Sequence, residues 1–202
     1  MLVPAETLTA DEAYRVLTGC VVPRPIAWVT SLSEKGVVNV APFSAFTFVS
    51  NKPPMVGVSI GRKAGVLKDT ARNILGSREF VVNIGNLDLL DQLHLSAQEF
   101  PEEISEAEEL KIDVARSERV ESPRIAAAPI SLECRLHNVF EFGDMKSCFF
   151  VGEVVMFHIR DGLMKNGKIE TRDLRPICRL GGPNYAELGD IITKRAIRVT
   201  PK

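Results

Sequence analysis

The segments ISLECRLHNVFEF (residues 130–142) and CFFVGEVVMFHI (residues 148–159) say most about the fold of this chain. Both are rich in β-branched and aromatic residues, which favour strands. Gly143 and Asp144, which lie between them, are typical of a tight turn. The two segments therefore predict a long antiparallel hairpin, and strands of this length fit the bent strands of a closed sheet.

Shorter strands are predicted upstream of this hairpin. Residues 26–40 predict a hairpin with its turn at residues 33–36, and further strands are predicted at residues 46–50, 55–60 and 80–84. Many strands joined by tight turns, with helices inserted between some of them, indicate a barrel or sandwich and not a βαβ sheet. We therefore expect a mainly β chain that forms a single domain over residues 1–202.

Helix signals separate several of these strands. Thr9 and Glu12 have the spacing of a capping box, and the helix that they begin is expected to end at Gly19. Residues 68–75 predict a second helix, capped by Asp69 or Thr70 and ended by Gly76.

The middle of the chain and its tail give weaker signals. Asn86 is expected to cap a helix that runs to His94, and residues 102–109 predict a solvated amphipathic helix. A last short apolar run occupies residues 196–199.

Composition excludes several classes of function. The 202 residues carry a formal net charge of −1, so we expect no nucleic-acid partner and no anionic membrane surface. No apolar run is long enough to span a membrane, and the first residues do not resemble a signal peptide, so we expect a cytoplasmic protein. The four cysteines and three histidines are scattered without ligand spacing, so we expect no metal site and no disulfide.

No side chains form a known catalytic set, and we assign no catalytic acid or base. A basic loop, residues 61–65, precedes the helix predicted at residues 68–75. The first turn of a helix can bind a phosphate, and Arg62, Lys63 or Lys68 would add positive charge, with hydroxyl groups from Ser59 and Thr70. An ordinary solvated loop explains the same residues, so composition alone leaves both interpretations open.

Two other groups of residues permit more than one interpretation. Residues 30–31 end one strand and residues 45–47 begin another, and strand ends can present backbone groups to a planar heterocycle; Thr and Ser are also ordinary strand residues. Asn184 and Tyr185 follow two glycines and a proline, which fits a flap over a ligand and a plain turn equally well. We expect Trp28 to pack in the core.

Seven stretches together, in this order and at this spacing, resemble the flavin reductase-like, FMN-binding split-barrel family, particularly its longer flavoredoxin-like members. The stretches are RPIAWVTS (24–31), NVAPFSAF (39–46), KPPMVGVS (52–59), KDTARNI (68–74), EFVVNI (79–84), SLEC (131–134) and RLGGPNY (179–185). The resemblance runs from about residue 20 to residue 186, which is nearly the whole chain.

This resemblance implies a six-stranded antiparallel Greek-key split barrel with helical insertions, forming a homodimer with FMN between the subunits. It implies three groups of FMN contacts: Thr30, Ser31 and Asn39 at the ribityl and phosphate end; the backbone of Ala45, Phe46 and Thr47 at the isoalloxazine; and Ser59, Arg62, Lys63, Lys68, Asp69 and Thr70 at the phosphate and ribityl chain. It also places Asn184 and Tyr185 close to the flavin as a lid.

The activity implied is that of a flavin reductase that takes hydride from NADH or NADPH. One alternative is a non-enzymatic FMN electron carrier that serves a redox protein partner. Another is a split-barrel protein without flavin that binds a different anionic ligand.

Overall fold

The computed structural model describes residues 1–195, and the apolar run at residues 196–199 lies outside the described residues. Within them, seven strands form one antiparallel sheet in the order β2-β1-β5-β6-β7-β4-β3. The strands are β1 Ala27–Leu32, β2 Val38–Phe43, β3 Phe46–Asn51, β4 Pro54–Ile60, β5 Glu79–Ile84, β6 Ile130–Phe142 and β7 Ser147–Ile159. Paired two-residue strands extend the fold at Arg24–Pro25, Arg62–Lys63, Val66–Leu67, Val114–Ala115, Arg124–Ile125, Met164–Lys165, Lys168–Ile169, Cys178–Arg179 and Tyr185–Ala186.

The sheet curls into a barrel because its two edge strands are consecutive in the chain. Only Ser44 and Ala45 separate β2 from β3, so Phe43 and Phe46 lie within about 11 Å of each other. A flat sheet of this order would hold its edges roughly 29 Å apart. The barrel is split between β2 and β3, so the expected fold class is confirmed, with seven strands in the sheet where six were expected.

The long hairpin of β6 and β7 joins the two halves of the barrel. Its strands pair from Ile130 opposite Ile159 to Phe142 opposite Ser147, which confirms the predicted hairpin. Register shifts at Glu133/Cys134 and Leu136/Asn138 interrupt the pairing, and irregularities of this kind bend strands. On its other side β6 pairs with β5, and β7 pairs with β4, so the hairpin connects the two halves.

The helices are short and lie between strands. They are α1 Ala10–Cys20, α2 Asp69–Ser77, α3 Leu90–Leu95, α4 Glu106–Glu109 and α5 Thr171–Leu174, with single 3₁₀ turns at Ala5–Thr7 and Leu87–Leu89. The capping box of Thr9 and Glu12 is present at the start of α1, as predicted, although the helix continues one residue past Gly19.

The predicted ends of α2 were wrong. The residue that caps α2 is Lys68, whose side chain makes no capping hydrogen bond. Asp69 and Thr70 lie inside the helix, because the Asp69 carboxylate pairs with Arg72 and the Thr70 hydroxyl pairs with Asn39. The helix passes Gly76 and ends at Ser77, where Arg78 adopts the left-handed conformation at φ 64°.

The acidic segment also differs from the prediction. Only Glu106–Glu109 is helical, because Ser105 accepts the backbone N–H of Glu108 and starts the helix there. Glu106 is buried, not solvated. Asn86 precedes the 3₁₀ turn at Leu87–Leu89 without capping it, since its amide nitrogen donates to the Asp88 carboxylate at 3.1 Å.

The core has two parts on either side of β1 and β5. The barrel interior is filled by side chains such as Phe80 and Phe150. Trp28 packs with Leu93 and Ile125 in the second part, under α3 and α4, and its indole N–H donates to Ser96 Oγ at 2.9 Å. The core position predicted for Trp28 is confirmed.

No helix within residues 1–195 is long and apolar enough to cross a membrane.

Candidate functional site

A cleft of about 500 Å³ lies between β2, the loop that leads into α2, and residues 96–100. We call it the central cleft. Five residues predicted from the sequence line it: Asn39, Lys63, Lys68, Asp69 and Thr70. The cleft forms here because the Arg62–Lys63 and Val66–Leu67 hairpin folds over the side of the barrel just before α2 begins.

Asn39, Thr70 and Glu106 form a hydrogen-bonded floor under this cleft. In the amide orientation that satisfies both polar ends of Asn39, its nitrogen donates to Glu106 Oε1 at 3.2 Å and its oxygen accepts from the Thr70 hydroxyl at 2.8 Å. Glu106 Oε2 accepts the backbone N–H of Val40 at 3.0 Å. Burial raises the pKa of the Glu106 carboxyl.

The charges on the rim differ in their availability to a ligand. The Lys63 ammonium is hydrogen-bonded to Glu99, and this contact lowers the pKa of that carboxyl. Arg72 pairs with Asp69 and, at 3.0 Å, with Glu102. Lys68 has no ion pair within the described residues and stands at the first turn of α2, where backbone N–H groups are unpaired. Among the described residues, the rim therefore offers an anion one cation without a salt bridge, Lys68, beside helix N–H donors, and a second cation, Lys63, that is shared with Glu99.

Arg62 faces away from the central cleft. Its guanidinium pairs with Glu141 at 2.9 Å and donates to the backbone oxygen of Lys146 at 3.0 Å. These contacts tie the loop to the β6–β7 hairpin. Between the two neighbouring basic residues, the structure places Lys63 at the cleft and Arg62 on the barrel wall.

Thr30 and Ser31 are fully buried beneath the site. The Thr30 hydroxyl donates to the backbone oxygen of Pro123 and accepts from Asn83 Nδ2 at 3.2 Å. Ser31 Oγ accepts from Asn73 Nδ2 at 3.2 Å, which fixes α2 against β1. Within this chain, both hydroxyls hold the fold together under the cleft.

A separate group of predicted residues lies at the split of the barrel: Ala45, Phe46, Thr47 and Ser59. The backbone N–H of Ser59 donates to the Ala45 oxygen at 2.8 Å, and Phe46 lies opposite Val58. Ala45 and Thr47 are exposed. This group adjoins the central cleft through Phe43, the last residue of β2, which lines the cleft itself.

Tyr185 lines a smaller pocket of about 130 Å³ that shares Pro42 and Ala97 with the central cleft. Its hydroxyl is hydrogen-bonded to His94 Nδ1 at 3.0 Å, and the Arg179 guanidinium lies 4.5 Å from the centre of its ring. Asn184 donates to the backbone oxygen of Gly181 at 3.0 Å and closes a turn. Of the two predicted lid residues, Tyr185 therefore stands at one end of the cleft, and Asn184 lies in the turn that precedes it.

Sequence reasoning missed Arg24, which is buried beside this site. Its guanidinium donates to the backbone oxygens of Thr18, Val21 and Leu180 at 2.6, 2.8 and 2.9 Å. It also donates to Ser44 Oγ at 3.2 Å, in the two-residue connection between β2 and β3. The one signal in the sequence was its position between Pro23 and Pro25.

The arrangement matches a known family. Residues 18–172 match the flavin reductase-like domain. The chain belongs to the flavin reductase-like family. The resemblance seen in the sequence is thereby confirmed, and family membership supports a flavin as the ligand of this protein.

Individual relatives agree over almost the full length. A protein of uncharacterised function from Halalkalibacterium halodurans is 40% identical over 190 residues, which is 92% of this chain and 91% of the relative. Nitrilotriacetate monooxygenase component B from Bacillus cereus superposes with a TM-score of 0.93 at 36% identity, covering 96% of this chain and 98% of its own. The 2-nitrobenzoate 2-nitroreductase of Pseudomonas fluorescens gives 0.89 at 33% identity, covering 100% and 99%.

Proposed function

We propose that the protein binds FMN in the central cleft and acts as an NAD(P)H-dependent flavin reductase. The observation that carries this proposal is the position of Lys68. This lysine is free of any ion pair in the described part of the chain and stands at the first turn of α2, in a member of the flavin reductase-like family. The names of the B. cereus and P. fluorescens relatives, a monooxygenase component and a nitroreductase, support an oxidoreductase.

The residues of the cleft fit the chemistry of FMN. A phosphate needs cations and hydrogen-bond donors, which Lys68, Lys63 and the first turn of α2 supply. The cleft volume of about 500 Å³ lies within the range of small-molecule sites, roughly 300–1,000 Å³. The exposed connection at Ala45 and Thr47 continues from the cleft and offers backbone groups to the isoalloxazine.

The flavin supplies the redox chemistry when it is bound, because it accepts hydride from a nicotinamide. The side chains of this protein bind and orient it. Lys68 neutralises the phosphate, and Lys63 can add to this by exchanging Glu99 for it. The buried pair of Asn39 and Thr70 holds the strand and helix that carry the cleft at a fixed distance. Arg24 fixes the connection at Ser44 from behind. The proposal needs no catalytic acid or base.

The proposal includes a homodimer. Large apolar side chains are exposed on β3 and on the end of the β6–β7 hairpin, including Phe48 at 78% and Phe142 at 61%. Exposed aromatic residues are frequent at interaction surfaces. A second copy of this chain would cover them and would lie next to the split of the barrel, where the isoalloxazine is expected.

Replacing Lys68 by alanine tests the phosphate site. We expect Lys68→Ala to weaken FMN binding at least tenfold, since a charge-assisted hydrogen bond contributes about 1.5–3 kcal/mol. Lys168, an exposed lysine on the Lys168–Ile169 strand, provides the matched control, and Lys168→Ala is expected to leave the affinity unchanged. The measurement is an FMN titration followed by flavin fluorescence. Equal affinity of Lys68→Ala and the parent protein would remove Lys68 from the site.

Steady-state oxidation of NADH and NADPH tests the activity. We expect FMN-dependent turnover with at least one of them. Negligible turnover by a protein that binds FMN tightly would favour the non-enzymatic electron carrier instead. The electron acceptor would then be a redox partner protein.

A further inference from the structure

Arg179 has no partner for its charge in the small pocket of about 130 Å³ that it lines together with Tyr185. Its guanidinium makes no ion pair and no hydrogen bond within residues 1–195, and the residue is half buried. The centre of the Tyr185 ring lies 4.5 Å from the guanidinium and attracts its charge. A cation–π contact uses the face of the guanidinium and leaves the N–H groups at its edge free to donate. Arg179 is therefore a candidate anchor for an anion.

The structure around this arginine holds its side chain in place. The Cys178–Arg179 strand is paired on one side with Arg24–Pro25 and on the other with Tyr185–Ala186. The Tyr185 hydroxyl is hydrogen-bonded to His94 Nδ1 at 3.0 Å, and the two rings meet edge to face. Because both the backbone and the aromatic ring beneath the guanidinium are fixed, little conformational entropy is lost when the guanidinium binds a ligand.

The other polar side chains of the pocket carry hydroxyl groups that can donate. Ser44 Oγ accepts from Arg24 Nε at 3.2 Å, so its own O–H group remains to donate to a ligand. Tyr14, which is exposed on α1, contributes a second hydroxyl, and no Asp or Glu is among the described residues that line the pocket. One guanidinium and two hydroxyls match the single charge and paired oxygens of a carboxylate, whereas a phosphate carries nearly two charges.

The remaining walls of the pocket are apolar. Ile26 and Leu93 are buried, and Pro42 and Ala97 lie where the pocket meets the central cleft. Such surfaces favour contact with an apolar group over contact with water. A volume of about 130 Å³ holds roughly one six-membered ring, since an apolar cavity of about 150 Å³ binds benzene. The ligand that fits is therefore a single ring that carries a carboxylate.

We propose that this pocket binds a small aromatic carboxylate, which pairs with Arg179 and packs its ring against the apolar walls. The inference goes beyond the proposed function, in which Lys68 binds the phosphate of the flavin. Ser44 lines the pocket and is followed in the chain by Ala45, where the isoalloxazine is expected. An acid bound in the pocket therefore lies beside the expected position of the flavin.

Substitution of Arg179 tests its part in the site. Arg179→Gln should weaken the binding of benzoate at least about tenfold, and Arg179→Lys, which keeps the charge without the paired N–H groups, should recover part of the affinity. Arg172→Gln, at an exposed arginine of α5 outside the pocket, is the matched control and should leave benzoate binding unchanged. Equal benzoate affinities of Arg179→Gln and Arg172→Gln would overturn the inference.

Calorimetric titration of the FMN-saturated parent protein gives a second test, which does not depend on the folding of any variant. We expect one saturable benzoate site per chain. Benzamide, which is uncharged, and acetate, which lacks the ring, should each bind at least about tenfold more weakly than benzoate. No saturable binding of benzoate, or binding of benzamide or acetate as tight as that of benzoate, contradicts the inference and leaves the proposed function standing. If the protein does not bind FMN, the proposed function fails, and the same titrations without FMN still decide this inference, because one chain forms the whole pocket.

Discussion

Glu133 is the residue whose surroundings are most unusual for its type. It is fully buried on β6, and its carboxylate accepts the backbone N–H groups of Glu118 at 2.8 Å and Arg119 at 2.6 Å, besides a contact with His158. Burial alone would raise its pKa. The pKa is nevertheless lowered below 4.5, because the hydrogen bonds from the Glu118 N–H, from His158 and from the Arg119 N–H together outweigh the effect of burial on the pKa.

The lowered pKa of Glu133 predicts acid sensitivity. Its stabilising contribution is present above pH 4.5 and is lost as the pH falls through the lowered pKa of the folded state. We expect Glu133→Gln to lower the free energy of unfolding by about 2 kcal/mol at pH 7, because the two N–H groups are bonded to different carboxylate oxygens and the amide NH2 group cannot accept either bond. The measurement is urea unfolding from pH 3 to pH 8, with the exposed Glu103→Gln as control. A Glu133→Gln curve parallel to that of the parent protein would contradict this role.

Glu106 predicts the opposite dependence on pH. Burial raises its pKa above 4.5, so the folded state binds the proton more tightly than the unfolded state. Its contribution to the free energy of unfolding therefore falls as the pH rises from 4.5 through the raised pKa. We expect Glu106→Gln to remove this fall and to be at least as stable as the parent protein at pH 8, because the amide oxygen can still accept the Val40 N–H and the amide nitrogen can donate to Asn39 Oδ1 once the Asn39 amide turns over. Lower stability of Glu106→Gln at pH 8 would show that the charge itself is needed.

The burial of Glu106 and Arg24 at this site could not be predicted from the neighbouring sequence. Glu106 lies in an acidic run, which is usually a solvated surface, and it is buried by contacts with Asn39 and with Val40, which is 66 residues away in the chain. The role of Arg24 depends on its hydrogen bond to Leu180, which is 156 residues away in the chain. Of the residues that line the cleft, Lys63, Lys68 and Thr70 were named from the basic loop before the predicted helix, whereas Asn39 and Asp69 came from the family resemblance.

At the scale of elements, the sequence predicted the features that depend on residues close together in the chain. The β6–β7 hairpin and the capping box of α1 were predicted closely, because a turn and a cap involve residues near in sequence. The cap of α2 was predicted wrongly, because the side chains of Asp69 and Thr70 pair with Arg72 and Asn39 and not with the free N–H groups of the helix. The sheet order depends on pairings such as β1 with β5, for which the sequence has no local signal.

The packing of β7 against the barrel interior depends on a missing side chain. A Cβ at Gly152 would lie 2.5 Å from the Phe80 ring, which is fully buried. We expect Gly152→Ala to destabilise the fold by about 1–3 kcal/mol, since a filled core has no room for the added methyl group. Thermal unfolding provides the measurement. Gly19→Ala, where a Cβ meets nothing within 4 Å, is the control and should not destabilise. A Gly152→Ala protein as stable as the parent would mean that Phe80 can move aside.

At the scale of the whole molecule, the proposed dimer predicts a dependence on Phe48. We expect the protein to sediment as a dimer and Phe48→Asp to sediment as a monomer, because an unpaired charge in an apolar interface is costly. FMN affinity should fall with it, since the flavin is expected between subunits. Met164→Asp, at an exposed apolar position on the separate Met164–Lys165 strand, is the control and should remain dimeric. A monomeric parent protein would contradict the proposal.

The central claim is that the central cleft binds FMN. The most direct measurement is the visible absorption spectrum of the purified protein after addition of FMN and desalting, supported by an equilibrium titration of FMN fluorescence. We predict a two-banded flavin spectrum or a saturable titration with one FMN per chain, weakened by Lys68→Ala. A protein that retains no flavin and gives no saturable titration would contradict the claim.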